Sequence, residues 1–168
     1  MTDAGAKLEY RRGFYAVPET EVPGDRAGIV LFAAMQPSVP ESTMLLIRAQ
    51  VLMPDKEHNQ IRIDYAVAPQ DISFTQTKDG RQHSTIDFVA ALYNREGKDI
   101  GHTVDTMNAH IRPEAFEQAL KTGIPEHQEL ELKPGAVLLR LGVMDRKSRK
   151  IGTVDVPLVT AGGQRAAK

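Results

Sequence analysis

Apolar side chains recur at every second position through most of the chain after residue 44. In the clearest run, residues 61–67, Ile, Ile, Tyr and Val alternate with Arg, Asp and Ala. A repeat of two matches the alternating faces of a β-strand, so each run indicates a strand with one face on a core. Further runs lie at residues 45–53, 86–92, 100–111, 130–132, 137–143 and 151–158. The sequence therefore predicts a mostly β protein with seven or eight strands.

Two stretches break this pattern and are predicted as short helices. The first follows a suitable N-cap at Asp25 and ends before Pro37. The second starts at Pro113, because proline is favoured at the first helical position, and ends at Gly123. In the first helix, the apolar residues expected to pack against a sheet are Ile29, Phe32, Ala33 and Met35.

Regular turn signals between the strands favour an antiparallel β-sandwich of the immunoglobulin or fibronectin-III type with two short helices. An eight-stranded barrel is the alternative. The sandwich is preferred because the connection that carries the second helix suits a Greek-key crossover between two sheets. The alternation slips at Asp105 and Thr106, which predicts a β-bulge there. The sandwich domain is expected to cover residues 24–160, followed by a disordered tail at residues 161–168.

Residues 1–23 are predicted to hold a strand and a linker that belong to a preceding module. Basic and aromatic residues interleave in this strand, but the net charge of −1 argues against a nucleic-acid surface. The strand is therefore interpreted as an edge that pairs with a protein partner or a neighbouring domain, and a homodimer through it would fit the same hypothesis. The residues of this candidate interaction edge are Tyr10, Arg11, Arg12, Phe14 and Tyr15.

The residue types that carry most catalytic chemistry are absent or scattered. The chain has no cysteine, which excludes disulfides, thiolate catalysis and cysteine-based zinc sites. Its five histidines lack the close spacing of metal ligands, although His102 and His110 flank the predicted bulge and are candidate partners. Asp64, Asp87 and Asp105 are expected on outward strand faces, where acids usually serve solubility. We predict no catalytic, cofactor-binding or metal-binding residue, and no membrane insertion, because no window holds the ~20 apolar residues of a spanning helix.

Several segments together resemble a known family. Residues 11–16 (RRGFYA) are similar to the R-x-G-Y-Y-A sequence that follows the von Willebrand factor A-like domain in acidobacterial VWFA-related proteins. Residues 131–135 and 139–145 resemble a P-G turn and strand in the C-terminal region of that family. Residues 94–98 resemble its hairpin turn, and residues 151–158 resemble its closing strand. The likeness covers most of residues 8–160.

The resemblance implies a C-terminal sandwich module of a larger exported protein. The metal-adhesion motif D-x-S-x-S of the A-like domain does not occur, since residues 71–75 (DISFT) end in Thr. Metal-dependent adhesion is therefore not expected of this chain. The expected location is extracytoplasmic, as part of a longer chain, or cytoplasmic if these 168 residues are the whole gene product.

Three hypotheses for the function follow from the sequence. The first is a non-catalytic protein-interaction or spacer module. The second is a sandwich that binds a small ligand or carbohydrate, although the chain has no Trp, four Tyr and five Phe with which to build an aromatic platform. The third is a hydrolase on a sandwich scaffold, with His102 and His110 as its candidate participants.

Overall fold

Two antiparallel sheets and two α-helices make up the part of the chain that the structure, a computed structural model, describes, which is residues 26–158. This confirms the predicted mostly β character with two short helices. The elements in chain order are α1 (Arg26–Ala34), β1 (Ile47–Leu52), β2 (Gln60–Val67), a 3₁₀ turn (Pro69–Asp71), β3 (Thr75–Gln76), β4 (Gln82–Tyr93), β5 (Asp99–Ile111), α2 (Pro113–Thr122), β6 (Ile124–Glu131), β7 (Leu138–Asp145) and β8 (Ile151–Pro157).

The smaller sheet has the strand order β1-β2-β6, and the larger sheet contains β3, β4, β5, β7 and β8. Strand β5 pairs with β4 along its whole length, so β3 and β7 share the opposite edge of β4. Strand β8 continues the larger sheet beyond β7. The sheets have open edges and do not form a closed barrel, which removes the barrel alternative.

The main core lies between the two sheets. In β2, Ile61, Ile63, Tyr65 and Val67 are buried and the residues between them are not, as the period of two predicts. They pack against the inner faces of β4 and β7 in one apolar cluster. Two sheets that face each other across a shared apolar layer form a sandwich-like architecture.

A polar clamp joins the sheets where β5 approaches β6. The Tyr65 hydroxyl donates to Gln128 Oε1 at 2.7 Å, and Gln128 Nε2 donates to Asp105 Oδ2 at 2.7 Å. Burial raises the pKa of the Tyr65 phenol far above its usual range, and the charges of Asp105 and Glu126 raise it further. Tyr65 therefore stays a neutral donor, and these bonds hold the two strands together without a shared backbone ladder.

Strands β4 and β7 are buried on both faces, whereas the sequence predicted one outward face. The second face carries Val89, Ala91 and Met144, which pack beneath α1. Asp87, expected on an outward face, is only 3% exposed, and its carboxylate accepts hydrogen bonds from Thr106 and Arg146. A strand covered on both sides reads as a nearly continuous apolar run, and residues 86–93 fit that description. Asp64 is exposed on an outward face as predicted. Asp105 is also exposed, but it lies on the inner side of β5 opposite Phe88, where it binds Gln128, so its predicted outward face was wrong.

Helix α1 forms where the sequence predicts it, but it turns a different face to the sheet. Leu31 and Met35 are buried, while Ile29 and Phe32, expected to face the sheet, are 43% and 40% exposed. After Arg26, residues 27–34 are apolar on every side of the helix, so the periodicity of this stretch cannot select a face. The sheet selects it, because Gly142 has no side chain and leaves the space that Leu31 and Met35 fill.

The irregularity in β5 is real but lies elsewhere than predicted. Pairing with β4 runs without interruption through Asp105 and Thr106. The register shifts instead near the hairpin, where Leu92 pairs with Gly101 and Tyr93 with Asp99, so that Ile100 is the extra residue. Consequently, the side chains of Val104 and His102 lie on the α1 side of the sheet, and Val104 is 46% exposed.

Helix α2 follows its predicted signals. Proline occupies its first turn at Pro113, and Gly123 ends it with φ +89°, a conformation that favours glycine. The helix carries the chain from β5 in the larger sheet to β6 in the smaller one, as expected for a crossover. Strand β6 begins earlier than predicted, at Ile124. The sequence analysis missed its first half because residues 126–129 are polar, although Gln128 is buried.

Gly152 marks the closest approach between β8 and the segment that leads into β1. A Cβ atom at this position would collide with the backbone carbonyl oxygen of Leu45. We therefore expect Gly152→Ala to lower the free energy of unfolding by about 1–3 kcal/mol, measured by urea denaturation. Gly101→Ala is the matched control, because its Cβ would meet only the flexible side chain of Lys133, and it should change stability by less than ~0.5 kcal/mol. Equal effects of the two substitutions would contradict this account.

Candidate functional site

A buried arginine fixes the position of α1 on the sheet. Arg140 is 1% exposed, and its Nε and Nη2 donate to the two carboxylate oxygens of Asp155 at 2.6 and 2.9 Å. Its Nη1 donates to the carbonyls of Ala34 and Gln36, and its Nη2 to the carbonyl of Val39. The last carbonyls of a helix lack intrahelical partners, and a cation at that end also suits the helix dipole. One side chain thus joins α1 to the sheet at the end where its backbone most needs donors.

Tyr93 adds a second anchor at the same end of α1. Its hydroxyl donates to the Met35 carbonyl at 2.6 Å. Burial raises the pKa of Tyr93 to about 12, so the phenol remains a donor at neutral pH. Together, Tyr93 and Arg140 give protein donors to the carbonyls that follow α1, and they prevent the helix from rotating about its axis.

With this orientation fixed, the exposed residues of α1 between Ile29 and Ala33 are all apolar. The exposed fractions are 43% for Ile29, 39% for Val30 and 40% for Phe32, and Ala33 is exposed as well. We call these four residues the outer α1 face. A helix that is apolar on all sides is normally buried on all sides. Contiguous apolar surface of this kind typically marks an interaction site.

The outer α1 face continues onto β5. The ring edge of Phe32 meets the ring of His102, with centroids 5.7 Å apart. Val104, 46% exposed, lies two residues further along the same face of the strand. The apolar surface therefore spans a helix and an edge strand, and the sequence prediction missed it because it expected Ile29 and Phe32 to pack against a sheet.

The candidate interaction edge from the sequence lies outside the described residues. The structure gives no position for it, and it stays a prediction. Its members are Tyr10, Arg11, Arg12, Phe14 and Tyr15.

The two histidines singled out by the sequence do not meet. Without a bulge between them, His102 and His110 are eight strand residues, or about 26 Å, apart. His110 lies instead opposite His83 in the β4–β5 ladder, and their rings stack with centroids 4.5 Å apart. Counting the register outward from the turn at residues 94–98 places His83 opposite Ala109, so this pair depends on the extra residue Ile100 and could not be read from the turn alone.

The remaining histidines contact nearby acids: His58 contacts one, and His127 contacts two, Asp64 and Glu129. His58 Nδ1 lies 3.3 Å from Asp55, and His127 Nδ1 lies 2.7 Å from Asp64. His102 has the same type of contact, at 2.9 Å from Asp99. Within residues 26–158, no three histidine, aspartate or glutamate side chains come together as a metal site would require. The same part of the chain contains no helix long and apolar enough to cross a bilayer.

Comparisons with known proteins add no family assignment. No protein-family model matches the chain, and no curated protein or solved structure matches it either. The resemblance drawn from the sequence motifs thus remains a hypothesis.

Replacing Arg140 tests the anchor of α1. Arg140→Met keeps the apolar stem but removes the charge, so Asp155 and the carbonyls of Ala34, Gln36 and Val39 lose their donors. We expect a loss of about 3–5 kcal/mol in the free energy of unfolding, measured in urea. Asp155→Asn should cost less, because Arg140 keeps the three carbonyls. A change below ~1 kcal/mol in Arg140→Met would show that α1 is held by apolar packing alone.

His127 should titrate at a higher pH than an ordinary histidine. The hydrogen bond with Asp64 raises its pKa most, and Glu129 adds to the effect. A raised folded-state pKa means that this interaction stabilises the fold fully below the unfolded value of about 6.5 and is lost as pH rises through the folded value. An NMR titration of the ring protons should give a lower His127 pKa in Asp64→Asn, and a smaller decrease in Glu129→Gln. An unchanged value in Asp64→Asn would refute the assignment.

Proposed function

We propose that this chain is a non-catalytic interaction module that packs against a neighbouring domain of its own polypeptide through the outer α1 face. The observation that carries the proposal is the apolar surface formed by Ile29, Val30, Phe32 and Ala33. A partner that covered this surface would gain roughly 25 cal/mol of hydrophobic free energy for each Å² of apolar area buried. Arg140 and Tyr93 hold α1 so that these residues point away from the sheet.

A neighbouring domain is favoured over a diffusing partner because of where α1 lies in the chain. The sequence predicts a strand at residues 7–17 that belongs to a preceding module and a linker at residues 18–24. Seven linker residues span at most about 25 Å. A module that contains the predicted strand would therefore lie within reach of α1, and the tether would make its docking effectively intramolecular.

The family resemblance supports the same proposal. In the acidobacterial VWFA-related proteins, the R-x-G-Y-Y-A sequence follows the A-like domain, so residues 11–16 would place such a domain shortly before α1 in the chain. On this proposal the fold is an immunoglobulin- or fibronectin-III-like sandwich in an exported protein. A complete reading frame of 168 residues would reject both the neighbouring domain and the extracytoplasmic location.

The two other hypotheses receive less support. The hydrolase hypothesis relied on His102 and His110, which lie about 26 Å apart on β5. A carbohydrate platform needs several exposed aromatic rings, and Phe32 is the one exposed aromatic residue within residues 26–158. The exposure of Phe32 is already explained by its place in the outer α1 face and does not favour a carbohydrate platform.

These 168 residues contain no cysteine, so a thiol introduced among them can be followed by peptide mapping in the polypeptide encoded by the complete reading frame. Ala33→Cys puts a single added thiol on the outer α1 face, and Lys98→Cys puts one on the exposed β4–β5 turn as a control. If a neighbouring domain covers α1, we expect maleimide labelling at residue 33 to be at least about tenfold slower than at residue 98, a protection worth about 1.4 kcal/mol. Protection should not depend on protein concentration.

Two results would reject the proposal. Equal labelling rates at residues 33 and 98 would mean that nothing covers the outer α1 face. Protection that disappears on dilution would assign the face to a second copy of the chain, that is, to a homodimer.

A further inference from the structure

Strand β5 is an edge of the larger sheet, and within residues 26–158 no strand pairs with its outer side. The bond from Arg146 N to Thr85 O shows that the odd-numbered residues of β4 direct their backbone groups toward β7. Because these directions alternate along an antiparallel strand, the even-numbered residues of β4 bond to β5. The register then leaves every second residue of β5 with its N–H and C=O groups on the open side. We call these the open-edge residues: His102, Val104, Thr106, Asn108 and His110.

The open-edge residues are all exposed, and their backbone groups have no hydrogen-bond partner in the described part of the chain. The opposite edge of the same sheet, β8, is protected. Thr153 N donates to the carbonyl of Ser42, and Asp155 N donates to the carboxylate of Glu41. Pro157, at the end of β8, has no N–H to offer. An edge that is left open, as in β5, is a template for pairing with another strand.

Strand β5 also lacks the residues with which proteins usually block an open edge. Its 13 residues include no proline, lysine or arginine. Its pairing with β4 is regular from Gly101 to Ile111, so no bulge bends this stretch away from a partner. Strand β6, an edge of the smaller sheet, differs because it carries Pro125 and three glutamates. Strand β5 is therefore better suited than β6 or β8 to accept a further strand.

The chain itself supplies a strand within reach of this edge. The sequence predicts a strand at residues 7–17 and a linker at residues 18–24. Phe32 of α1 touches His102 of β5, and Arg26, where α1 begins, lies about 9 Å from Phe32 along the helix axis. The linker spans at most about 25 Å, so residues 7–17 can reach β5 while α1 keeps its position.

The charges of the two segments are opposite. Residues 7–17 contain three cations and one anion, which gives a net charge of +2. Strand β5 contains Asp99 and Asp105 and no lysine or arginine, which gives a formal charge of −2 with neutral histidines. A second copy of β5 at the same edge would set two negative strands side by side. Charge complementarity therefore favours residues 7–17 over a homodimer through β5.

We infer that residues 7–17 pair with the open edge of β5 and add a sixth strand to the larger sheet. Main-chain hydrogen bonds give such strand additions their affinity, and the short linker makes the pairing intramolecular. A strand has two edges, so the segment can pair with β5 on one side and remain part of a preceding module on the other. The pairing uses backbone groups of β5, whereas the proposed function uses side chains of α1, so either can hold without the other.

Amide hydrogen exchange of the 168-residue chain tests the pairing, because an amide in a ladder exchanges more slowly than one at an open edge. Neighbouring residues of a strand direct their N–H groups to opposite sides, so Tyr10→Pro/Arg11→Pro removes a donor toward β5 in either register. We expect the amides of the open-edge residues to exchange at least about tenfold faster in this variant than in the parent chain. Ala4→Pro/Gly5→Pro, with two prolines before the predicted strand, is the matched control and should leave exchange unchanged.

A charge-reversed variant tests the choice of partner. Arg11→Glu/Arg12→Glu keeps every backbone donor but sets like charges beside β5, so the amides of the open-edge residues should exchange at least about threefold faster than in the parent. The amide of the buried Phe88 in β4 should exchange equally in all variants, which shows that the fold is intact.

Two results would overturn the inference. The first is equal exchange of the open-edge residues in the parent chain and in both the proline and the charge-reversed variants. The second is protection in the parent chain that is lost on dilution, which would assign the edge of β5 to a second copy. Neither result depends on whether a neighbouring domain covers the outer α1 face.

Discussion

The guanidinium of Arg140 is the interaction on which the rest of the architecture depends. A charge buried in the interior is tolerated only when its partners satisfy it, and here Asp155 and three backbone carbonyls do so. Because those carbonyls belong to the end of α1 and to the loop behind it, the cost of burying the charge is offset only when the helix lies on the sheet. The second face of β4 and β7 is covered as a result, and residues 26–158 hold two apolar clusters where a simple sandwich has one.

Local signals in the sequence predicted the elements whose geometry is set by neighbours in the chain. The alternation of Ile61 to Val67 predicted β2, and Pro113 with Gly123 predicted the ends of α2. Gly80 lies in the turn before β4 and has φ +80°, a conformation that favours glycine. These features depend on side-chain spacing or on the backbone conformation of one residue, and both can be predicted from a few consecutive residues.

Features set by tertiary contacts were not predictable in this way. Arg140 sits among leucines, and nothing in its local sequence indicates that helix carbonyls will surround it. The buried position of Asp87 depends on Arg146 from another strand. Likewise, the break between β3 and β7 beside Ser84 and Thr85 is a property of strand pairing rather than of composition. The candidate sites therefore depend on tertiary contacts between strands and helix. The fold class, in contrast, could be predicted largely from local sequence patterns.

The extra residue in the β4–β5 hairpin gives this turn an unusual sensitivity to changes in chain length. Because Ile100 is an extra residue, it determines which side chains of β5 face the core between the sheets and which face α1. Deleting one residue there would turn Val104 and His102 toward the core between the sheets and turn Met107 and Ala109 toward the α1 side, although every other residue stayed the same. Insertions and deletions at this hairpin should thus be purged during evolution more strictly than substitutions, and homologues are expected to differ in the composition of this turn but to agree in its number of residues.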